Sequence, residues 1–163
     1  MSNIENLKEA FSGESQANRK YLAFAKKADQ EGYPHIARLF RAAAAAETVH
    51  AHNHLDAMGG IKSTEENLKT AIEGEIAEFE EMYPDFIEEA KEEGDKQAEW
   101  TFDVANQVEK IHAQLYQKAL ENIESKVMVD YYVCNWCGNT VEEKPPEKCP
   151  ICNAPVEEFL KVD

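Results

Sequence analysis

The first 125 residues carry four stretches in which apolar side chains recur three and four positions apart, the period of an amphipathic helix. The first stripe is Ile4, Leu7, Phe11, Glu14, Asn18, Tyr21, Ala25 and Ala28. The second is Ile36, Phe40, Ala43, Glu47, His50 and His54, and it passes through five consecutive alanines, a strong helix-forming run. The third is Leu68, Ala71, Glu75, Glu78, Met82 and Phe86, and the fourth Phe102, Ala105, Glu109, His112 and Tyr116. Gly32 closes the first helix and Pro34 opens the next, each in its favoured place. Gly59-Gly60 stops the second, Ser63-Thr-Glu-Glu66 is a capping box for the third, and Gly94 ends it. The expected helices therefore run from about Asn3 to Gln30, Pro34 to Met58, Ser63 to Gly94 and Asp95 to Ser125, with a kink at Pro84.

Each stripe places acids where leucine would be expected. Burying a lone carboxylate costs several kcal/mol, so these groups must be paired or bound to metal. Glu47-Thr-Val-His50 and Glu109-Lys-Ile-His112 each project a carboxylate and an imidazole from one helix face. Two Glu-x-x-His pairs, with glutamates from two further helices, mark a di-iron or di-manganese carboxylate bundle. Glu14, Glu75 and Glu78 are those further glutamates. Glu14, Glu47, Glu75, Glu78 and Glu109 with His50 and His112 can hold two ions of combined charge about +4 to +6. Tyr21 and Tyr83, about two turns from a ligand, are candidates to hydrogen-bond a ligand carboxylate. His35 is expected to face solvent, His52 lies off the metal face, and His54 is read as a rim histidine.

The helical part reads as an internal duplication. Gly13-Glu14 matches Gly74-Glu75, and Glu47-x-x-His50 matches Glu109-x-x-His112. Tyr21 follows Glu14 by seven residues and Tyr83 follows Glu75 by eight. Ala17 in the first copy corresponds to Glu78 in the second.

After Ser125 the pattern changes. Lys126 to Tyr132 is short, β-branched and aromatic and reads as a strand. It leads into Cys134-Asn-Trp-Cys137, followed by Cys149-Pro-Ile-Cys152. A module of some 35 residues has too small a core to fold alone, so a metal held by the four thiolates must supply the stability. Spacing does not separate zinc from iron; the neighbouring redox-type bundle favours iron. The expected domains are 1–126, an all-α four-helix bundle, and 127–163, a small β-rich four-cysteine module.

Composition narrows the partners. A net charge of −15 argues against nucleic acid and against anionic membrane surfaces. No apolar run is long enough to span a bilayer. Met1-Ser-Asn-Ile-Glu-Asn lacks the features of a signal peptide, so a cytoplasmic protein is expected, and the Cys-x-x-Cys pairs read as metal ligands rather than disulfides.

Together these motifs resemble rubrerythrin: a ferritin-like di-iron bundle followed by a rubredoxin-like module with one iron on four cysteines. The resemblance rests on Gly13-Glu14-Ser-Gln-Ala, Glu47-Thr-Val-His50, Gly74-Glu75-Ile-Ala-Glu78 with Met82-Tyr83-Pro84, Glu109-Lys-Ile-His112 and the two cysteine pairs. It implies that Glu14, Glu47, Glu75, Glu109 and His112 are iron ligands, that Glu78 and His50 exchange on one iron with redox state, and that Tyr21 and Tyr83 lie close to the carboxylates. It implies a cofactor set of two non-haem irons in a carboxylate-bridged pair and one iron on Cys134, Cys137, Cys149 and Cys152, with zinc as a possible substitute there. It implies reduction of hydrogen peroxide to water, in defence against oxidative stress. The electrons would come from NAD(P)H through a partner such as rubredoxin or a reductase. Asn139 departs from the pattern, standing where rubredoxin-like sites often carry an aromatic.

Two other readings compete: an iron-handling ferroxidase whose four-cysteine site is only structural, and a zinc-stapled helical interaction protein without turnover. The extra Glu78 and the tethered four-cysteine module favour the peroxidase. The sequence also bears on assembly. A ferritin-like bundle needs its second and third helices parallel. The second helix is roughly 36 Å long, while the connection from Gly59 to Lys62 reaches only roughly 14 Å. The chain must form either an up-down-up-down bundle or a domain-swapped homodimer. The second is favoured, because short hinges promote swapping.

Overall fold

The computed structural model describes residues 2–162. It is mostly helical, with one small three-stranded sheet near its C-terminal end. The described chain divides into two compact units, one ending at Lys62 and the other beginning at Ser63. No helix among the described residues is long and apolar enough to cross a membrane.

The first unit is a helical hairpin of α1 (Asn3–Gln30) and α2 (Pro34–Ala57). Ser2 caps α1 in a reciprocal box with Glu5, and Gly32 turns the chain at φ +80°. The two helices meet on small residues. Ala37, Ala44 and Ala51, seven apart on α2, are buried along with Ala25 and Ala28 of α1. Methyl-sized side chains let the helix axes approach closely. Ala25 and Ala28 lie in the stripe read for the first helix, whereas the α2 side of the seam differs from the stripe read there: helical periodicity marks which faces are apolar, not which one packs first. Buried Asn18 is satisfied across the seam, its Nδ2 donating to the Ala44 carbonyl at 2.7 Å and to Thr48 Oγ1 at 2.8 Å. Leu39 and Val49 on α2 remain 68% and 57% exposed.

The second unit begins with α3 (Thr64–Ala77), capped by the expected box of Ser63 and Glu66. The helix does not break at Pro84. A π turn, Glu78–Met82, joins α3 to α4 (Tyr83–Glu93), and the Tyr83 amide donates to the Glu78 carbonyl five residues back. Proline removes one donor and crowds the carbonyl four residues earlier. Widening the turn by one residue absorbs that conflict, and such π bulges gather at functional sites. Gly94, at φ +74°, ends α4, and Asp95 caps α5 (Lys96–Glu121). Both α3 and α4 pack along α5. The last helix stops four residues short of the expected Ser125.

The sheet has the order β2-β1-β3, with β1 (Tyr131–Cys134) antiparallel to β2 (Thr140–Glu142) and to β3 (Phe159–Val162). The strand expected over 126–132 is therefore later and shorter. Its early residues, Val127 and Met128, are exposed and lack the pairing a strand needs. Cys134, Cys149, Ala154 and Phe159 form the small core of this module. Its β2 strand touches α5, and Lys118 of α5 pairs with Glu142.

Candidate metal centres

The two knuckles of the C-terminal module are built alike. Cys134 N–H donates to the Asn139 carbonyl at 2.9 Å and Gly138 N–H returns to the Cys134 carbonyl at 2.8 Å. Cys149 N–H donates to the Ala154 carbonyl at 2.8 Å and Asn153 N–H returns to the Cys149 carbonyl at 2.9 Å. Each turn needs a left-handed residue, supplied by Gly138 at φ +82° and by Asn153 at φ 62°. The knuckles aim all four sulfurs inward, with Sγ separations of 3.6 Å between Cys134 and Cys152 and 3.5 Å between Cys137 and Cys149. All four are free thiols. A tetrahedral metal with bonds of about 2.3 Å has sulfur–sulfur edges of about 3.8 Å, so the donor set fits a tetrahedral metal. The thiols are not equivalent. Burial pushes Cys137 up despite the Asn139 amide, and its thiol neighbours push the same way. At Cys149 burial is outweighed by the amides of Cys152 and Ile151 and by thiol partners, which bring it down to about 7.

The helical candidates gather into two clusters, one in each unit. In the first, His50 Nδ1 lies 2.8 Å from Glu47 Oε2 and 4.0 Å from Glu14 Oε1. In the second, His112 Nδ1 lies 2.7 Å from Glu109 Oε2 and 3.7 Å from Glu75 Oε2. Bonds of about 2.0–2.2 Å from a metal to oxygen or nitrogen place ligand atoms about 3–4 Å apart, so each trio fits as part of a metal shell. Both histidines turn the same nitrogen, Nδ1, toward their carboxylates. Duplication extends to the aromatics. Tyr21, Phe24 and Phe40 form a ring cluster with centroids 5.6–6.4 Å apart, and Tyr83, Phe86 and Phe102 repeat it at 5.5–6.4 Å.

Glu78 sits at the start of the π turn. Burial raises its pKa, the charge of Glu109 adds to the rise, and His112 opposes it. Tyr83 is held protonated by burial and then by the charges of Glu109, Glu78 and Glu75. Its phenol thus feels the charge of those carboxylates, whereas the Tyr21 ring packs against Phe24 and Phe40. His35 is exposed and its ring faces Tyr33. His52 is exposed and His54 half-buried.

Two residues near this cluster were not among the sequence candidates. Tyr116, one turn after His112, is raised by burial and by the charges of Glu75 and Glu109. Its place in the fourth stripe was the available signal. Thr140, on β2, meets His112 Nε2 at 3.0 Å through its hydroxyl. Nothing in the sequence links residues 28 apart in different modules.

Glu75 is pushed up to about 7 by burial, then by the charge of Glu109, a hydrogen bond shared with Glu109 and the charge of Glu78. In the metal-free protein folding thus raises this pKa from 4.5. The folded state holds the proton more tightly, so this contribution is fully present below about pH 4.5 and is lost as pH rises through about 7. The metal-free protein should lose about 1–2 kcal/mol across that window, after allowing for solvent screening. Thermal melts of metal-free wild type and Glu75→Gln test this. The wild type should show the extra fall and the variant should not; parallel pH profiles would contradict it.

The helical region, residues 5–120, matches the Rubrerythrin family model, and residues 132–160 match that of the rubrerythrin rubredoxin-like domain. The chain belongs to the rubrerythrin family. Rubrerythrin-2 of Clostridium acetobutylicum is 36% identical, over 94% of this chain and 92% of the relative. Nigerythrin of Nitratidesulfovibrio vulgaris is 38% identical, over 97% of this chain and 85% of its own length. The solved fully reduced, all-ferrous state of nigerythrin aligns with 99% of this chain and 87% of that one, at 37% identity and a TM-score of 0.61. As a rubrerythrin the chain carries a di-iron centre of Glu and His groups and a rubredoxin-like centre on four cysteines, a composition consistent with oxidative-stress defence.

Proposed function

We propose that this rubrerythrin is a hydrogen peroxide reductase, supplied with electrons through its own four-cysteine iron. The observation that carries the reading is the 3.0 Å contact between His112 Nε2 and Thr140 Oγ1. It ties a candidate di-iron ligand to the module that bears the cysteines, within one compact unit. A purely structural staple needs no such link. In this reading Glu14, Glu47, His50, Glu75, Glu78, Glu109 and His112 hold two irons, and Cys134, Cys137, Cys149 and Cys152 hold a third. Domain 1–126 then carries the peroxide chemistry and domain 127–163 the electron entry. When bound, the iron pair would supply two electrons, one from each iron, and Lewis acidity toward an oxygen ligand, and the four-cysteine iron would refill it one electron at a time.

The chain's own residues set the stage for that chemistry. The Thr140 hydroxyl donates to the Gly138 carbonyl at 3.1 Å, so its oxygen accepts from His112. His112 must then carry its proton on Nε2, leaving the Nδ1 lone pair toward Glu75 and Glu109. Each short contact between Nδ1 and a carboxylate needs a proton in the metal-free protein. A metal cation takes that proton's place, so loading releases protons. Reducing one peroxide to two waters consumes two electrons and two protons. Tyr83 and Tyr116, kept as neutral phenols beside the carboxylates, are placed to hold protons close to that reaction. Glu78 is only half-buried and the His50 side chain is 53% exposed, which supports their proposed exchange on one iron. Physiological electrons would come from a rubredoxin or an NAD(P)H-dependent reductase in the cytoplasm.

The assembly we propose is a domain-swapped homodimer, in which Glu14, Glu47 and His50 of one chain join Glu75, Glu78, Glu109 and His112 of the other. Each unit presents only a half-set of ligands, and the exposed Leu39 and Val49 give the first hairpin an apolar face that suits a second copy.

Stopped-flow reoxidation tests the function. Fully reduced protein mixed anaerobically with peroxide should regain its iron–thiolate absorption within turnover. A four-cysteine centre that stays reduced while the di-iron pair reoxidises would favour the ferroxidase reading. Thr140→Val removes only the hydroxyl. It should weaken di-metal binding about ten- to hundredfold, the usual cost of losing an outer-shell partner, with the thiolate absorption intact.

A further inference from the structure

We propose that the side chain of Asn139 raises the reduction potential of the four-cysteine iron by donating a hydrogen bond to the Cys149 sulfur. The inference rests on iron filling that site. Asn139 is 1% exposed and is the largest fully buried side chain among the described residues. Its Nδ2 lies 3.6 Å from Cys149 Sγ. Its Oδ1 has no hydrogen-bond partner. A buried amide oxygen left unpaired costs free energy, yet the opposite orientation would be worse, since it would aim a carbonyl oxygen at a thiolate. The amide is therefore held by its donor side.

The two knuckles show that the fold itself does not require this group. Asn139 follows Cys134 by five residues, as Ala154 follows Cys149, and both backbone carbonyls accept from the first cysteine of their turn. Both backbone amides also reach a sulfur, that of Asn139 to Cys137 and that of Ala154 to Cys152. Ala154 is 0% exposed, so a methyl group suffices at the equivalent place. The Asn139 side chain is an extra donor on one side of an otherwise symmetric cage. It brings a third N–H to Cys149, beside the amides of Ile151 and Cys152.

The sign follows from charge. Four thiolates with ferric iron carry −1 in total, and with ferrous iron −2. Reduction adds one electron and no proton. A hydrogen bond to sulfur stabilises the more negative state more, so a donor raises the potential. At a fixed solution potential, losing it should cut the ferrous-to-ferric ratio several-fold, up to roughly tenfold, or about 59 mV for one electron.

The test is a dithionite-and-mediator titration of the iron–thiolate absorption in the full-length protein, for wild type, Asn139→Ala and Asn139→Leu. The alanine reproduces the second knuckle, and the leucine fills the buried volume without a donor. Both midpoints should move negative; unchanged or more positive midpoints overturn the proposal. If the variants fail to load iron, the wild type decides. After cadmium-113 replaces iron, the Asn139 side-chain amide proton should show scalar coupling to the metal through sulfur. Absence of that coupling overturns the proposal. Peroxide enters neither measurement. A protein that reduces no peroxide but shows the shift leaves this inference standing, and a working peroxidase with unshifted variants removes it alone.

Discussion

Glu109→Ala is expected to empty the di-iron centre and to lower peroxide turnover by more than about a hundredfold, beyond the usual cost of an outer-shell partner, while the protein stays helical. Glu109 Oε2 lies 2.7 Å from His112 Nδ1, and its charge acts on Glu75, Glu78, Tyr83 and Tyr116 alike. Among the described residues no other carboxylate acts on so many of the candidate groups. Its removal has opposite effects on the two forms of the protein. The loaded form loses a ligand. The metal-free form loses a like charge beside Glu75, whose pKa should fall back toward 4.5. Metal-free Glu109→Ala should therefore melt no earlier than metal-free wild type at neutral pH. Glu47→Ala should lose metal and turnover in the same way. Metal analysis, circular dichroism and peroxide consumption on one preparation check all of this; full iron content with full turnover would remove Glu109 from the site.

Much of this was legible along the chain because acids and imidazoles interrupt apolar stripes at helical spacing. That pattern locates the four helices and nearly every candidate ligand. The π turn was half legible. The step from seven residues between Glu14 and Tyr21 to eight between Glu75 and Tyr83 is one extra residue, and the widened turn at Glu78–Met82 accommodates it. Tyr83 thereby keeps the place relative to Phe86 and Phe102 that Tyr21 has relative to Phe24 and Phe40. A spacing count shows an insertion but not its form; proline chemistry at Pro84 supplies the reason for a π turn. The alanine seam of Ala37, Ala44 and Ala51 was hidden, because alanine is as common on exposed helix faces as on packed ones. The contact from Thr140 to His112 was illegible for a different reason. It depends on how a short strand comes to lie against α5, and no local periodicity encodes that.

Mixing two inactive variants should restore activity if the homodimer is swapped. Glu47 belongs to the unit that ends at Lys62, and Glu109 to the unit that begins at Ser63. The connection between α2 and α3 is only Met58 to Ser63, which at full extension reaches roughly 20 Å. The 24 residues of α2 run about 36 Å, so the connection cannot retrace the helix to make a parallel bundle within one chain. In a swapped dimer of Glu47→Ala with Glu109→Ala, one centre collects both lesions. The other combines an intact Glu47 from one chain with an intact Glu109 from its partner. Random pairing makes half the dimers mixed, each with one sound centre, so about a quarter of wild-type di-iron content and turnover should return. In an unswapped dimer every centre keeps one lesion, and mixing restores nothing. Co-expression of the two variants with distinct tags, followed by tandem purification of the mixed dimer, isolates the species in question. That preparation should hold half the wild-type di-iron content. Finding none, in a dimer that retains its four-cysteine absorption, would assign both halves of each centre to a single chain.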